Sequence, residues 1–129
     1  MPRALIHTML RVLDEDRSLA FYRALGFEET SRKRVGGDTA TVIFLSLPGD
    51  GERLELTLND GRTEPYVLGE AYGHIALSVD DMDAELADLA AKGITPEKPP
   101  YSSRPGGSLI CFIQDPDGYR IELVESRTG

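Results

Sequence analysis

The sequence predicts an α+β fold made of two tandem copies of one unit, each a strand, a helix and three further strands. Three observations predict it. The first is an internal repeat: His7 and Glu55 recur 67 positions later as His74 and Glu122, and these are the only two histidines in the 129-residue chain. Leu10, Val12, Asp14, Leu19, Gly26, Ile43, Asp50, Gly51 and Leu56 follow the same shift onto Leu77, Val79, Asp81, Leu86, Gly93, Ile110, Asp117, Gly118 and Leu123 without a gap. The second is that each copy carries one helix signature, acidic at its start and closed by glycine. The third is strict alternation of polar and apolar residues in the flanking segments, the mark of strands with one buried face.

Taken in order, Ala4 to Val12 reads as the first strand. Asp14-Glu15-Asp16 places acid groups where a helix macrodipole favours them, Leu19, Tyr22 and Leu25 supply helical spacing, and Gly26 supplies the stop. Strands are expected over Glu28 to Arg34, Thr39 to Leu47 and Arg53 to Asn59, with Gly36-Gly37 and Pro48-Gly49-Asp50-Gly51 as turns. Module one is thus about 4–60, a linker follows over about 61–73, and module two covers about 74–126 of a single domain spanning 1–129. The second copy opens with a strand from His74 to Val79. Asp80-Asp81 begins a helix carrying Met82, Leu86 and Leu89, and Gly93 ends it. Pro96, Pro99 and Pro100 interrupt the next strand position, whose bounds stay open. Strands at Ser108 to Gln114 and Tyr119 to Glu125 complete the copy, and Ser126 to Gly129 is expected to fray.

Alternation sorts the side chains into two faces. Ile6, Thr8, Leu10 and Val12 are expected toward the helices, and His7, Met9 and Arg11 away from them. Leu54, Leu56 and Leu58 share one face; Glu55, Thr57 and Asn59 share the other. In the second copy Ile75, Leu77 and Val79 oppose His74, Ala76 and Ser78, while Ile121 and Leu123 oppose Arg120, Glu122 and Val124. All four His and Glu residues therefore fall on polar sheet faces. Two imidazoles and two carboxylates are a complete donor set for a borderline-to-hard divalent ion. An unpaired carboxylate turned into a fold is costly without a partner, which strengthens the metal reading of Glu55 and Glu122. Cys111 matches Phe44 in the ungapped repeat and lies in an apolar run, as an inert core thiol would. Pro65-Tyr66 and Glu70 read as loop residues without a specific signal.

A net charge of −8 and a pI near 4.7 repel phosphate, so neither nucleic acid nor an anionic membrane is an expected partner. No apolar run approaches the roughly 18 residues of a membrane span. No basic region leads into an apolar stretch at the start, so no secretory leader is expected. The single cysteine cannot form an intrachain disulfide, and a cytoplasmic setting follows as the expectation.

Several ordered motifs are specific to a known family. His7-Thr8-Met9-Leu10-Arg11-Val12, Phe21-Tyr22 through Leu25-Gly26-Phe27, Leu54-Glu55-Leu56-Thr57, Ala71-Tyr72-Gly73-His74-Ile75-Ala76, and Asp115-Pro116-Asp117-Gly118-Tyr119-Arg120-Ile121-Glu122-Leu123 closely resemble glyoxalase I (lactoylglutathione lyase) of the vicinal-oxygen-chelate superfamily. The resemblance runs from His7 to Glu125. It implies paired βαβββ modules and a homodimer with the metal at the subunit interface. His7 and Glu55 would come from one chain, His74 and Glu122 from the other. It further implies nickel or cobalt as the cofactor, with zinc as the alternative, and the hemithioacetal of methylglyoxal and glutathione as the substrate. Glu122 would be the main catalytic base, and Glu55 the near-symmetric alternative. Arg11 and Asn59 would hold the γ-glutamyl end, and Arg104 the glycyl carboxylate. The chain departs from the family at Asn59-Asp60-Gly61, where an aromatic commonly stands between Asn and Gly. The same scaffold serves epimerases, dioxygenases and thiol transferases, and also metal-free resistance proteins that sequester a small ligand. The full quartet weighs against a three-ligand dioxygenase and against a metal-free binder.

Overall fold

The computed structural model describes residues 1–126, and the chain divides into two compact units, Met1–Val67 and a second beginning at Leu68. The first unit runs β1 (Thr8–Arg11), α1 (Glu15–Ala24), β2 (Glu28–Val35), β3 (Ala40–Ser46) and β4 (Leu54–Asn59). The second runs β5 (Ile75–Val79), α2 (Met82–Ala91), β6 (Tyr101–Ser102), β7 (Leu109–Gln114) and β8 (Arg120–Glu125). Each unit is one βαβββ module with one four-stranded mixed sheet. The strand orders are β1-β4-β3-β2 and β5-β8-β7-β6, and in each the first strand pairs parallel with the last while the others pair antiparallel. The α+β reading and its duplicated topology are borne out.

The helices form where the signals place them. Asp14 caps α1 by accepting from the Arg17 amide at 2.9 Å, and Asp81 caps α2 by accepting from the Ala84 amide at 3.1 Å. The Glu125 carboxylate takes the Met82 amide as well, at 2.9 Å. Both helices end in the same left-handed glycine closure, at Gly26 (φ +98°) and Gly93 (φ +81°). Phe27 and Ile94 then donate back to the carbonyls of Tyr22 and Leu89. The Tyr22 and Phe27 rings meet edge to face across the α1 closure, with centroids 5.8 Å apart. Buried Leu19, Phe21, Tyr22, Ile43, Leu45 and Leu56 fill the first core, and Met82, Leu89, Cys111, Ile113, Ile121 and Leu123 the second.

Three sequence expectations are corrected. The first strand is shorter than Ala4 to Val12, because its ladder begins where Thr8 meets Leu54. Ile6 is 74% exposed and Thr8 is exposed too, leaving only Leu10 and Val12 of that face buried. The repeat is also not free of gaps. Phe44 faces Glu55 across one ladder and Phe112 faces Glu122 across the other, so Phe44 corresponds to Phe112, and Ile43 to Cys111. The hairpin between β7 and β8 is one residue shorter than its counterpart, and in a strand such a step moves every side chain to the opposite face. Cys111 itself is fully buried, as expected, with its thiol pushed up by burial. Finally, Ser126 does not fray: its amide donates to the Val79 carbonyl at 2.7 Å. The remainder of the expected frayed tail lies outside the described residues.

Candidate functional site

In the first unit the parallel register sets Met9 beside Glu55 and Arg11 beside Thr57. Glu55, Thr57 and Asn59 follow one another along the face of β4 that also carries His7. His7 Nε2 lies 2.8 Å from Glu55 Oε2. The imidazole meets the Phe44 ring edge to face, with centroids 5.5 Å apart at 76°. Because Phe44 is the cross-strand partner of Glu55, one ladder position supplies both the carboxylate and the ring that orients the imidazole.

The second unit repeats the arrangement. His74 Nε2 stands 3.4 Å from Glu122 Oε1, and His74 packs edge to face on Phe112 with centroids 5.1 Å apart at 78°. Each carboxylate is mostly covered, with side chains 15% and 17% exposed, while the imidazoles are 34% and 39% exposed. The pairs are thus open on one side. The Arg120 guanidinium sits over the Phe112 ring, 3.9 Å from its centroid. Glu97 holds it there, accepting from Nε at 3.0 Å and from Nη2 at 2.8 Å. Those hydrogen bonds from Arg120, with another from Gln114, keep the Glu97 carboxyl below the usual carboxylate range.

The His–Glu separations can be set against those of two donors on one ion. Two ligands bound at about 2.1 Å lie roughly 3.0 Å apart when at right angles and about 3.4 Å apart at the tetrahedral angle. The 3.4 Å separation in the second unit matches the tetrahedral value, while the 2.8 Å separation in the first is that of a direct hydrogen bond or ion pair. Among the described residues, no three His, Cys, Asp or Glu side chains of the chain gather into one cluster able to hold a metal. Each unit offers two donors of the right chemistry.

The other expected contacts take distinct positions. Arg11 closes β1 and is exposed. Asn59 ends β4, and its carboxamide Nδ2 donates to the Tyr66 hydroxyl at 2.9 Å. Arg104 lies on the β6–β7 connection, its carbonyl accepting from the Gly107 amide at 3.0 Å. Sequence reasoning gave no site role to Phe44, Phe112, Thr57 or Tyr66, although it placed Thr57 on the face of Glu55. The phenylalanines were hidden by the one-residue step in the repeat, and comparing the two hairpin lengths would have exposed them. Thr57 Oγ1 is buried without a hydrogen-bond partner, between Glu55 and Asn59 along the strand.

Residues 4–123 match the family model described as the Glyoxalase/Bleomycin resistance protein/Dioxygenase superfamily. The chain is 41% identical over 130 residues to the lactoylglutathione lyase of Haemophilus influenzae, covering 96% of this chain and 93% of that protein. It superposes on the crystal structure of glyoxalase I from Zea mays with a TM-score of 0.84 and 31% identity, covering 95% of this chain but only 44% of the longer maize chain. The trypanothione-dependent glyoxalase I of Leishmania major superposes with a TM-score of 0.80 and 38% identity, covering 96% and 87% of the two chains.

Proposed function

The chain belongs to the glyoxalase/bleomycin resistance protein/dioxygenase superfamily, and on that footing we propose that it is a metal-dependent lactoylglutathione lyase. It would convert the hemithioacetal of methylglyoxal and glutathione into S-D-lactoylglutathione. The observation that supports this most is the doubled His–Glu pair, each backed by a phenylalanine, at equivalent ladder positions of the two units. On this reading the units are the paired modules of one domain, and the protein works in the cytoplasm as a homodimer. One site takes His7 and Glu55 from one chain and His74 and Glu122 from its partner.

Those four side chains would hold a divalent ion, nickel or cobalt by our assignment, with zinc matching the same donors. When bound, such an ion supplies Lewis-acid stabilisation of the enediolate. The chain's own residues do the rest. Glu122 accepts the C1 proton and returns it at C2, and Glu55 is its near-symmetric alternative. The C1 hydroxyl becomes the thioester carbonyl as the C2 carbonyl becomes a hydroxyl, so no oxidant or reductant is needed. Arg11 and Asn59 grip the γ-glutamyl end, and Arg104 the glycyl carboxylate.

The test follows thioester formation by ultraviolet absorbance after chelation and re-addition of nickel, cobalt or zinc, with methylglyoxal and several low-molecular-weight thiols. Turnover with glutathione that disappears on chelation and returns with the re-added metal supports the assignment. Full turnover in metal-free protein, or none with any thiol, would overturn it.

A further inference from the structure

Neither histidine lies inside a strand. The parallel ladders begin one residue later, where Thr8 meets Leu54 and Ile75 meets Ile121, so the sheet fixes the chain only on the C-terminal side of each imidazole. In the first unit burial does not fix the other side, because Leu5 and Ile6 are each 74% exposed. A hydrogen bond does so instead. Arg53 Nη1 donates to the Leu5 carbonyl at 3.0 Å, while the Arg53 carbonyl accepts from the Thr8 amide at 2.9 Å. One residue thus grips the chain on both sides of His7. Its guanidinium is aimed by Asp50, whose carbonyl and carboxylate both accept from Nε, at 3.1 and 3.0 Å.

The second unit joins the same two positions from the opposite side. The shift that carries His7 onto His74 carries Leu5 onto Tyr72 and Arg53 onto Arg120. Here the segment before the histidine supplies the side chain. The Tyr72 hydroxyl donates to the Arg120 carbonyl at 3.1 Å, and its ring is seated edge to face on Tyr119, with centroids 5.1 Å apart. Two different side chains therefore make one link, between the residue two before the histidine and the residue two before the glutamate. A contact rebuilt from different atoms at the same place points to a shared requirement.

We propose that Arg53 and Tyr72 are positioning residues, which tie down the chain ahead of His7 and His74 and so hold each imidazole beside its glutamate, ready to take a divalent cation. The inference rests on the reading above that these four side chains are metal ligands. An imidazole free to swing has to be ordered when the ion arrives, and the freedom lost weakens binding. For Arg53, charge acts with the opposite sign: removing a positive group by itself favours a bound cation. The direction of the change in affinity therefore separates positioning from electrostatics.

The test uses Arg53→Met, which keeps an unbranched stem and removes the donors, and Tyr72→Phe, which keeps the ring on Tyr119 and removes only the hydroxyl. The nickel dissociation constant, from competition with a chelator, should rise about tenfold in each, the low end of what groups behind metal ligands contribute. Arg53→Lys keeps a donor near Leu5 and should recover part of the loss. The urea midpoint of Arg53→Met should match that of native protein, because exposed ion pairs add little stability. Proton NMR of the chelated full-length protein, above the histidine titration range, reads the imidazoles directly. The chain has only two, assigned by His7→Ala and His74→Ala. Arg53→Met should move the His7 signal toward that of histidine in an unfolded chain and leave His74 in place, and Tyr72→Phe should do the reverse. Unchanged or tighter nickel binding overturns the proposal, as do unmoved signals or a common shift of both. If the native protein binds no nickel, the metal reading fails, and the NMR signals alone decide whether the two side chains position the imidazoles.

Discussion

At the residue scale, the chemistry hangs on atoms that can be changed one at a time. Glu122→Gln replaces a proton acceptor with an amide that still coordinates through oxygen and fits the same ladder position beside Phe112. We expect the fold and metal content to survive and kcat to fall by about a hundredfold or more, the usual contribution of a general base. Stopped-flow absorbance with parallel metal analysis checks this, and near-normal kcat in metal-loaded variant would move the base to Glu55. Arg11 lies at the end of β1, two register positions beyond the Met9–Glu55 pair. Its proposed partner is a remote carboxylate, so Arg11→Ala should raise KM by about ten- to a hundred-fold with a smaller effect on kcat. Steady-state kinetics would reveal the opposite split if Arg11 instead acted on the reacting carbons.

At the scale of elements, the two modules differ most in their second strand. In the first module β2 runs eight residues along β3, whereas β6 is two residues long. Pro96, Pro99 and Pro100 lack the amides a ladder needs, which is why the sequence left this strand's bounds open. The segment is secured another way: the Glu97 amide donates to the Phe112 carbonyl at 2.9 Å, and the Glu97 carboxylate clamps Arg120 and Gln114. A carboxyl whose folded pKa is lowered stabilises above its unfolded pKa and loses that contribution as pH falls through the folded value. Glu97 is such a group, held down first by Arg120 and then by Gln114. The urea midpoint of native protein should therefore exceed that of Glu97→Gln at neutral pH. The gap should close as pH drops below about 4, the range in which free carboxylates protonate. A constant gap from pH 7 to pH 3 would show that the clamp does not act through its charge.

For the whole molecule, the decisive matter is whether the two His–Glu pairs combine into one site. If each site is shared between chains, His7→Ala and Glu122→Ala are each inactive alone but complement when their subunits exchange. In a hybrid dimer one site receives both mutations and the other keeps all four native ligands. Random pairing makes about half the dimers hybrid, so roughly a quarter of native activity should return in a two-fold symmetric dimer. Absence of recovery after demonstrated subunit exchange would place each metal within one chain.

What the sequence determined by itself was whatever depends on neighbours along the chain. The repeat, the helix signals at Asp14 and Gly26 and at Asp81 and Gly93, and the alternation that puts His7, Glu55, His74 and Glu122 on polar faces are all of this kind. They were legible because helix caps and strand faces are set by residues a few positions apart. What only the tertiary structure decided depends on register between strands and on where loops return. The step that makes Phe112, not Cys111, the counterpart of Phe44 was established by the cross-strand pairing. Tyr66 read as a loop residue until the structure joined its hydroxyl to the Asn59 carboxamide. The hydroxyl of Thr57 became notable only once burial removed it from water and left it without a partner. Contacts of that kind are made by packing between segments, and a linear pattern holds no record of which segments will meet.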